Sequence, residues 1–212
     1  MTVNPMTEQD WSTLRQSVAE QLSDYRMEHT LGVERMAARL ASLYCPEKES
    51  LLRAAALLHD VTKEQSNEEQ RAIFAAHGIT LRPDEQVSPQ VWHGMTAALV
   101  IPQRYPTLAD PELISAVRWH TTGRAGMTLT EALLFLADYI EEGRRFASCI
   151  ALRKAFFDAV PERMDAADRR RHLHRILLQY FENMLSKLRE QGSTVCLDSL
   201  AAWEDLKNRT DF

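Results

Sequence analysis

Apolar residues recur at helical spacing along almost the whole chain, and no segment shows a convincing period-2 alternation. Only 7 glycines and 8 prolines interrupt 212 residues. Such a chain can bury its apolar stripes only by packing helix on helix. We therefore expect an all-α helical bundle of about seven to nine helices. No internal repeat or low-complexity linker divides it. The expectation is one domain over residues 1–212, with a core at about 23–146 and C-terminal helices 147–212 packed on it.

The stripes end in unusual residues. His29, Val33, Met36, Leu40 and Tyr44 form one inward face of a helix from about Ser23 to Tyr44. Leu52, Ala55, Ala56 and His59 share a face of the next, from about Glu47, and Asp60 follows at its terminus. Pro89 can start a helix carrying His93, Ala97 and Val100. Pro111 opens another with Leu113, Ala116, Val117 and His120 on one face, and Gly123 ends it. Thr130 is expected to cap a helix holding Leu134, Phe135 and Asp138, with Gly143 as its stop.

A single histidine on an apolar face is usually a satisfied core residue. Four histidines and two aspartates ending inward stripes on five helices are another matter, because burying them unpaired is costly. A shared cation satisfies them together. Imidazole and carboxylate donors without thiolates suit iron, manganese or zinc, and two adjacent ions can activate water at a phosphate. The centre is expected between helices, from His29, His59, Asp60, His93, His120 and Asp138.

The other three histidines, His77, His172 and His174, receive no catalytic role. Arg169, Arg170 and Arg171 sit in the first turn of a long helix from about Asp165 to Gln191, where the dipole disfavours them. They read as either a solvated basic face or an anion contact, and solvated faces are the commoner case. Cys45, Cys149 and Cys196 are odd in number and form no CxxC pair, so neither a disulfide framework nor a thiolate zinc site is indicated. Net charge is −5, which disfavours nucleic acid as a partner. No apolar run approaches a membrane span, and residues Met1 to Asp10 do not read as a secretory signal. A cytoplasmic protein is the expectation.

The ordered set His29, His59-Asp60, His120 and Asp138 resembles the HD-domain metal-dependent phosphohydrolases. The words RMEHTLGV, AALLHDVTKE, WHGMTAALV and AVRWHTTGRAGMTLTEALLFLADYIEEGRRF resemble, more narrowly, the bacterial YqeK family of symmetrical dinucleoside tetraphosphatases. The likeness is strong from about Tyr25 to Phe146 and continues weakly to the tail GSTVCLDSLAAW. It implies a helical bundle with one or two iron ions. His29, His59, Asp60 and Asp138 would hold the first ion. His93 and His120 would hold a second or touch substrate phosphates, with Asp60 as the bridge. The implied reaction is attack of metal-bound water on diadenosine tetraphosphate, giving two ADP. Asp60 and Lys63 stand as the catalytic pair, and His29, Lys63, His93, His120, Thr121 and Arg144 as the substrate-binding set. Lys63 is expected to donate to a phosphate oxygen, one turn after Asp60 if the helix continues. Arg144 offers a fork for bidentate phosphate contact, and Arg26 is a weaker candidate. The alternatives are another HD-domain nucleotide phosphohydrolase, such as a nucleotidase or (p)ppGpp hydrolase, or a sensor that holds metal and nucleotide without turnover. A homodimer is left open.

Overall fold

A computed structural model describes residues 6–210 and 212. Among them the chain forms eleven α-helices, joined by short loops and single 3-10 turns, and no strand. The first five are α1 (Glu8–Ala19), α2 (Asp24–Tyr44), α3 (Glu49–Leu58), α4 (Asn67–Ala76) and the single turn α5 (Pro83–Gln86). Then follow α6 (Trp92–Arg104), α7 (Pro111–Trp119), α8 (Leu129–Ile140), α9 (Ala147–Asp158), α10 (Ala166–Glu190) and α11 (Leu197–Asn208). The expected all-α architecture is present, with more helices than the periodicity suggested. The surplus is the short or weakly apolar α1, α4 and α5.

Local chemistry sets the helix ends. Ser23 caps α2 by accepting from the Arg26 N–H, and Asp110 caps α7 just before Pro111. Helix α8 starts earlier than expected. Its cap is Thr128, in a reciprocal box with Glu131, and Thr130 lies buried inside the helix with its hydroxyl on Glu112. The box decides this, since Glu131 stands three residues after Thr128 and not after Thr130. Helix α8 also stops at Ile140, three residues before Gly143, because Glu141 turns to extended backbone. Helix α7 ends at Trp119, and the turn closes on Gly123 at φ +64°.

Helix α2 packs on α3 and α8, and α7 bridges α6 to α8. Leu40, Leu52, Leu58, Leu133 and Leu136 are fully buried where these helices meet. Each such side chain contributes about 2 kcal/mol of transfer free energy. Phe156 of α9 and Leu177 and Phe181 of α10 enter the same buried cluster, with Ala202 of α11. On α10, Leu185 is buried and Leu188 only half-buried.

The arginine run has a structural use. Arg169 donates to the carbonyls of Leu43, Pro161 and Met164, tying the start of α10 to the last turn of α2. Arg170 reaches the Phe212 carbonyl, and Arg171 pairs with Asp168. Carbonyls left without donors at a helix C-terminus draw the guanidinium in, so Arg169 is neither solvated nor free for an anion.

Candidate metal centre

The centre is built by one device used twice. His59 and His120 each follow directly on an apolar helix, at the C-caps of α3 and α7. Each ring folds back on its own helix. His59 Nδ1 lies 2.6 Å from the Ala56 carbonyl, and His120 Nδ1 lies 2.7 Å from the Val117 carbonyl. A carbonyl only accepts, so Nδ1 carries the proton in both rings and Nε2 presents a bare lone pair. Both side chains are buried, and His59 Nε2 has no hydrogen-bond partner.

His29, in the second turn of α2, is oriented by a carboxylate. Its Nδ1 donates to Glu141 at 3.1 Å, leaving Nε2 3.0 Å from Asp138 Oδ1. His93, in the first turn of α6, places Nε2 3.1 Å from His120 Nε2 and 3.3 Å from Asp60 Oδ1. Asp60 lies between the two sets. Its Oδ2 is 3.4 Å from His59 Nε2 and 3.9 Å from His29 Nε2, while its Oδ1 is 3.8 Å from His120 Nε2. Arg26 donates to Asp60 Oδ2 at 3.0 Å, and Arg144 pairs with Asp138 Oδ1.

A divalent cation fits these residues. Ligand atoms of His29, His59 and Asp138 lie within 4.8 Å of one another, as do those of His59, Asp60 and His120. Metal–ligand bonds of about 2.1 Å at right angles put neighbouring donors about 3 Å apart. The spacings His29–Asp138 and His93–His120 match that value. Two facing imidazole nitrogens and one orphaned buried nitrogen are what a shared cation would satisfy.

Protonation is set accordingly. Burial pushes the His93 imidazole well below its usual range and the His120 imidazole down to about 4. Burial alone would raise the Asp60 carboxyl, but the facing His59, His93 and His120 reverse this and hold it well below normal. Asp138 is likewise held down against burial, chiefly by Arg144 and His29. His29 goes the other way: hydrogen bonds to Asp138 and Glu141 outweigh burial and raise it. At neutral pH the aspartates are ionised and His93 and His120 neutral, as metal ligation requires.

Above the centre opens a cavity of about 350 Å3. Arg26, Lys63 and Arg144 supply cations to it, and Phe135, Tyr139 and Tyr180 an aromatic wall. Lys63 follows a turn rather than a continued helix, with its N–H bonded to the Asp60 carbonyl. Its ammonium lies 3.2 Å from His93 Nδ1, and burial lowers its pKa against the pull of Asp60 and Asp138. Thr121 lines the cavity with a hydroxyl that has no partner. Arg144 uses Nη2 on the Asp138 carboxylate and Nε on the Asp138 carbonyl, which leaves Nη1 for a ligand instead of the whole fork. His77, His172 and His174 lie outside the centre, each on a backbone carbonyl.

Two features had no place in the sequence reading. Glu141, which orients His29, is buried and lies three residues past Asp138 within the quoted motif. That position was its only signal. Nothing in the sequence of α10 marks Tyr180 as a cavity wall.

Residues 26–143 match the HD domain family. The chain is 34% identical over 137 residues to the symmetrical bis(5'-nucleosyl)-tetraphosphatase of Bacillus subtilis (strain 168), covering 65% of this chain and 72% of that one. It is 33% identical over 135 residues to the protein of the same name from Halalkalibacterium halodurans, covering 62% and 68%. The crystal structure described as a predicted HD superfamily hydrolase involved in NAD metabolism, from Clostridium acetobutylicum, superposes with a TM-score of 0.81 at 28% identity. That superposition covers 94% of this chain and 97% of the other. The matched segment contains all six clustered side chains, and the chain belongs to the HD domain family.

Proposed function

We propose that this protein is a symmetrical bis(5'-nucleosyl)-tetraphosphatase, hydrolysing diadenosine tetraphosphate and water to two ADP in the cytoplasm. The observation that carries the reading is Asp60, whose two carboxylate oxygens face two separate histidine sets under a cation-lined cavity. The relatives named for this activity supply the substrate class. His29, His59, Asp60 and Asp138 would hold one ion, and His93 and His120 a second one. Iron is the proposed metal, with manganese or zinc accepted by the same donors. When bound, the metal supplies a Lewis acid that lowers the pKa of water to about 7 and offsets phosphoryl charge.

The chain's own groups do the rest. Lys63 and Arg144 Nη1 approach the polyphosphate from the cavity wall and neutralise charge that grows on the departing ADP. Thr121 offers its free hydroxyl to a phosphate oxygen. Arg144 keeps Asp138 ionised, and Arg26 holds the Asp60 carboxylate in place by its hydrogen bond to Oδ2. In the reaction, water oxygen bonds to one β-phosphorus as the bond from that phosphorus to the bridging oxygen breaks. The bridging oxygen leaves with the second ADP, and the two protons of the water pass to solvent or to the new terminal phosphates. With its charge neutralised, ADP leaves without a dedicated general acid.

The test is a chromatographic product assay on iron- or manganese-loaded protein with diadenosine tetraphosphate. ADP as sole product supports the reading. AMP plus ATP rejects symmetrical cleavage and keeps the metal centre. The Clostridium neighbour's link to NAD metabolism makes NAD the natural competitor, and preferential hydrolysis of NAD would overturn the proposed substrate.

A further inference from the structure

A substrate cut at its midpoint must extend equally to both sides of the metal centre. The cavity over the centre, about 350 Å3, lies near the lower end of the roughly 300–1,000 Å3 that ligand sites span. It is closed on one side by Phe135 and Tyr180, whose ring centroids are 4.8 Å apart. One nucleotide half fills such a space, and the other half must lie outside it.

Two exposed aromatics stand next to the cavity's arginines in the chain. Tyr25 and Phe146 are the two most exposed large apolar side chains, at 77% and 70%, and the only exposed aromatics among the described residues. Both stand beside an arginine that lines the cavity. Tyr25 precedes Arg26, which holds Asp60, and lies one helical turn before His29 on the same face of α2. Phe146 follows Arg144, whose Nη2 is 3.5 Å from His29 Nε2, by two residues, with exposed Arg145 between. Each exposed ring thus stands within two residues of a guanidinium that lines the cavity, on a segment that carries or contacts His29. That pairing fits a nucleotide, with base on the ring and phosphate on the cation.

We propose that Tyr25 and Phe146 form the subsite for the outer nucleoside of the substrate, stacking its base while the inner half occupies the cavity. This rests on the tetraphosphatase reading. It makes the rim a specificity device: the two aromatics select substrates with a second base and leave single-nucleoside polyphosphates unaffected.

The experiment compares metal-loaded wild type with Tyr25→Ala, Phe146→Ala and the double variant on two substrates. These are diadenosine tetraphosphate and adenosine 5'-tetraphosphate, which lacks the second nucleoside. Both residues are exposed, so folding is preserved, and size-exclusion elution reports any change of assembly. Loss of one stacked base raises KM for diadenosine tetraphosphate by about tenfold at unchanged kcat. KM for adenosine 5'-tetraphosphate stays at the wild-type value, and Tyr25→Phe with Phe146→Tyr restores the first substrate. An unchanged KM in the double variant overturns the subsite, as does equal loss on both substrates. A shifted elution volume with unchanged KM would make the patch a contact between two copies of the chain, and also overturns it. If wild type leaves diadenosine tetraphosphate intact, the tetraphosphatase reading falls first and the subsite with it.

Discussion

Glu141 accepts a hydrogen bond from Nδ1 of His29 at 3.1 Å, across 112 residues of chain. The same carboxylate accepts from the Gly143 N–H at 2.6 Å and sits against Gly32 of α2, where a Cβ would overlap Oε2. The contact fixes which nitrogen of His29 faces the centre. Glu141→Ala should lower metal affinity roughly 10- to 100-fold, as loss of a ligand-orienting carboxylate does. Glu141→Gln, which can still accept from Nδ1, should lose less. Gly32→Ala should resemble Glu141→Ala, because the new methyl displaces the carboxylate. Titration with manganese checks all three, and wild-type affinity in Gly32→Ala would show that Glu141 shifts without cost.

Asp60 lies between the two histidine sets, so its loss should disturb both together. Asp60→Ala and His59→Ala are expected to abolish hydrolysis and reduce bound metal, measured by elemental analysis of purified protein. Full activity in either variant would remove the site assignment.

A Lys63 variant should separate substrate handling from metal binding. Lys63→Ala should lower kcat/KM by about 10- to 100-fold, the worth of one charge-assisted hydrogen bond to phosphate. Metal content should stay near wild type. Because its ammonium lies 3.2 Å from His93 Nδ1, loss of metal in this variant would instead assign Lys63 to holding His93.

The metal-free protein should weaken in mild acid. His120 takes up a proton near pH 6.5 when unfolded but only near 4 when folded. Between those values the unfolded chain binds more protons, so stability falls as pH drops from about 6.5 to 4 and is unaffected above. The His120 share is on the order of 3 kcal/mol. His93 acts in the same direction. His29, with its raised pKa, opposes them by adding stability below about 6.5 that is lost as pH rises through its folded value. His93, held well below its usual range, and His120 act together against it. Urea melts of chelator-treated protein at pH 8, 6 and 5 measure this, and a flat profile would contradict it.

Arg169 is expected to matter for stability alone. Arg169→Ala strands the Leu43 and Met164 carbonyls at the junction of α2 and α10 and removes one of two donors to the Pro161 carbonyl, at about 1–3 kcal/mol in all. Hydrolysis by the folded fraction should be unchanged. A raised KM instead would return the arginine run to a role in anion binding.

The sequence by itself determined the helical architecture, because 3.6-residue periodicity is a property of each segment alone. It also marked His59 and His120, since an apolar helix that ends in histidine brings its own carbonyls to orient the ring. Capping was legible only where the spacing was read correctly, and Thr128 in place of Thr130 is the case where it was not. What the tertiary structure decided is everything that depends on two helices meeting. Asp60 faces both histidine sets only because α2, α3, α6 and α7 converge on it. Glu141 reaches His29 because α8 ends beside α2, and Tyr180 becomes a cavity wall because α10 lies across α8. Arg144 spends most of its fork on Asp138 for the same reason. Periodicity states which face of a helix turns inward, but not which other face it meets, and the chemistry of this centre lies in those meetings.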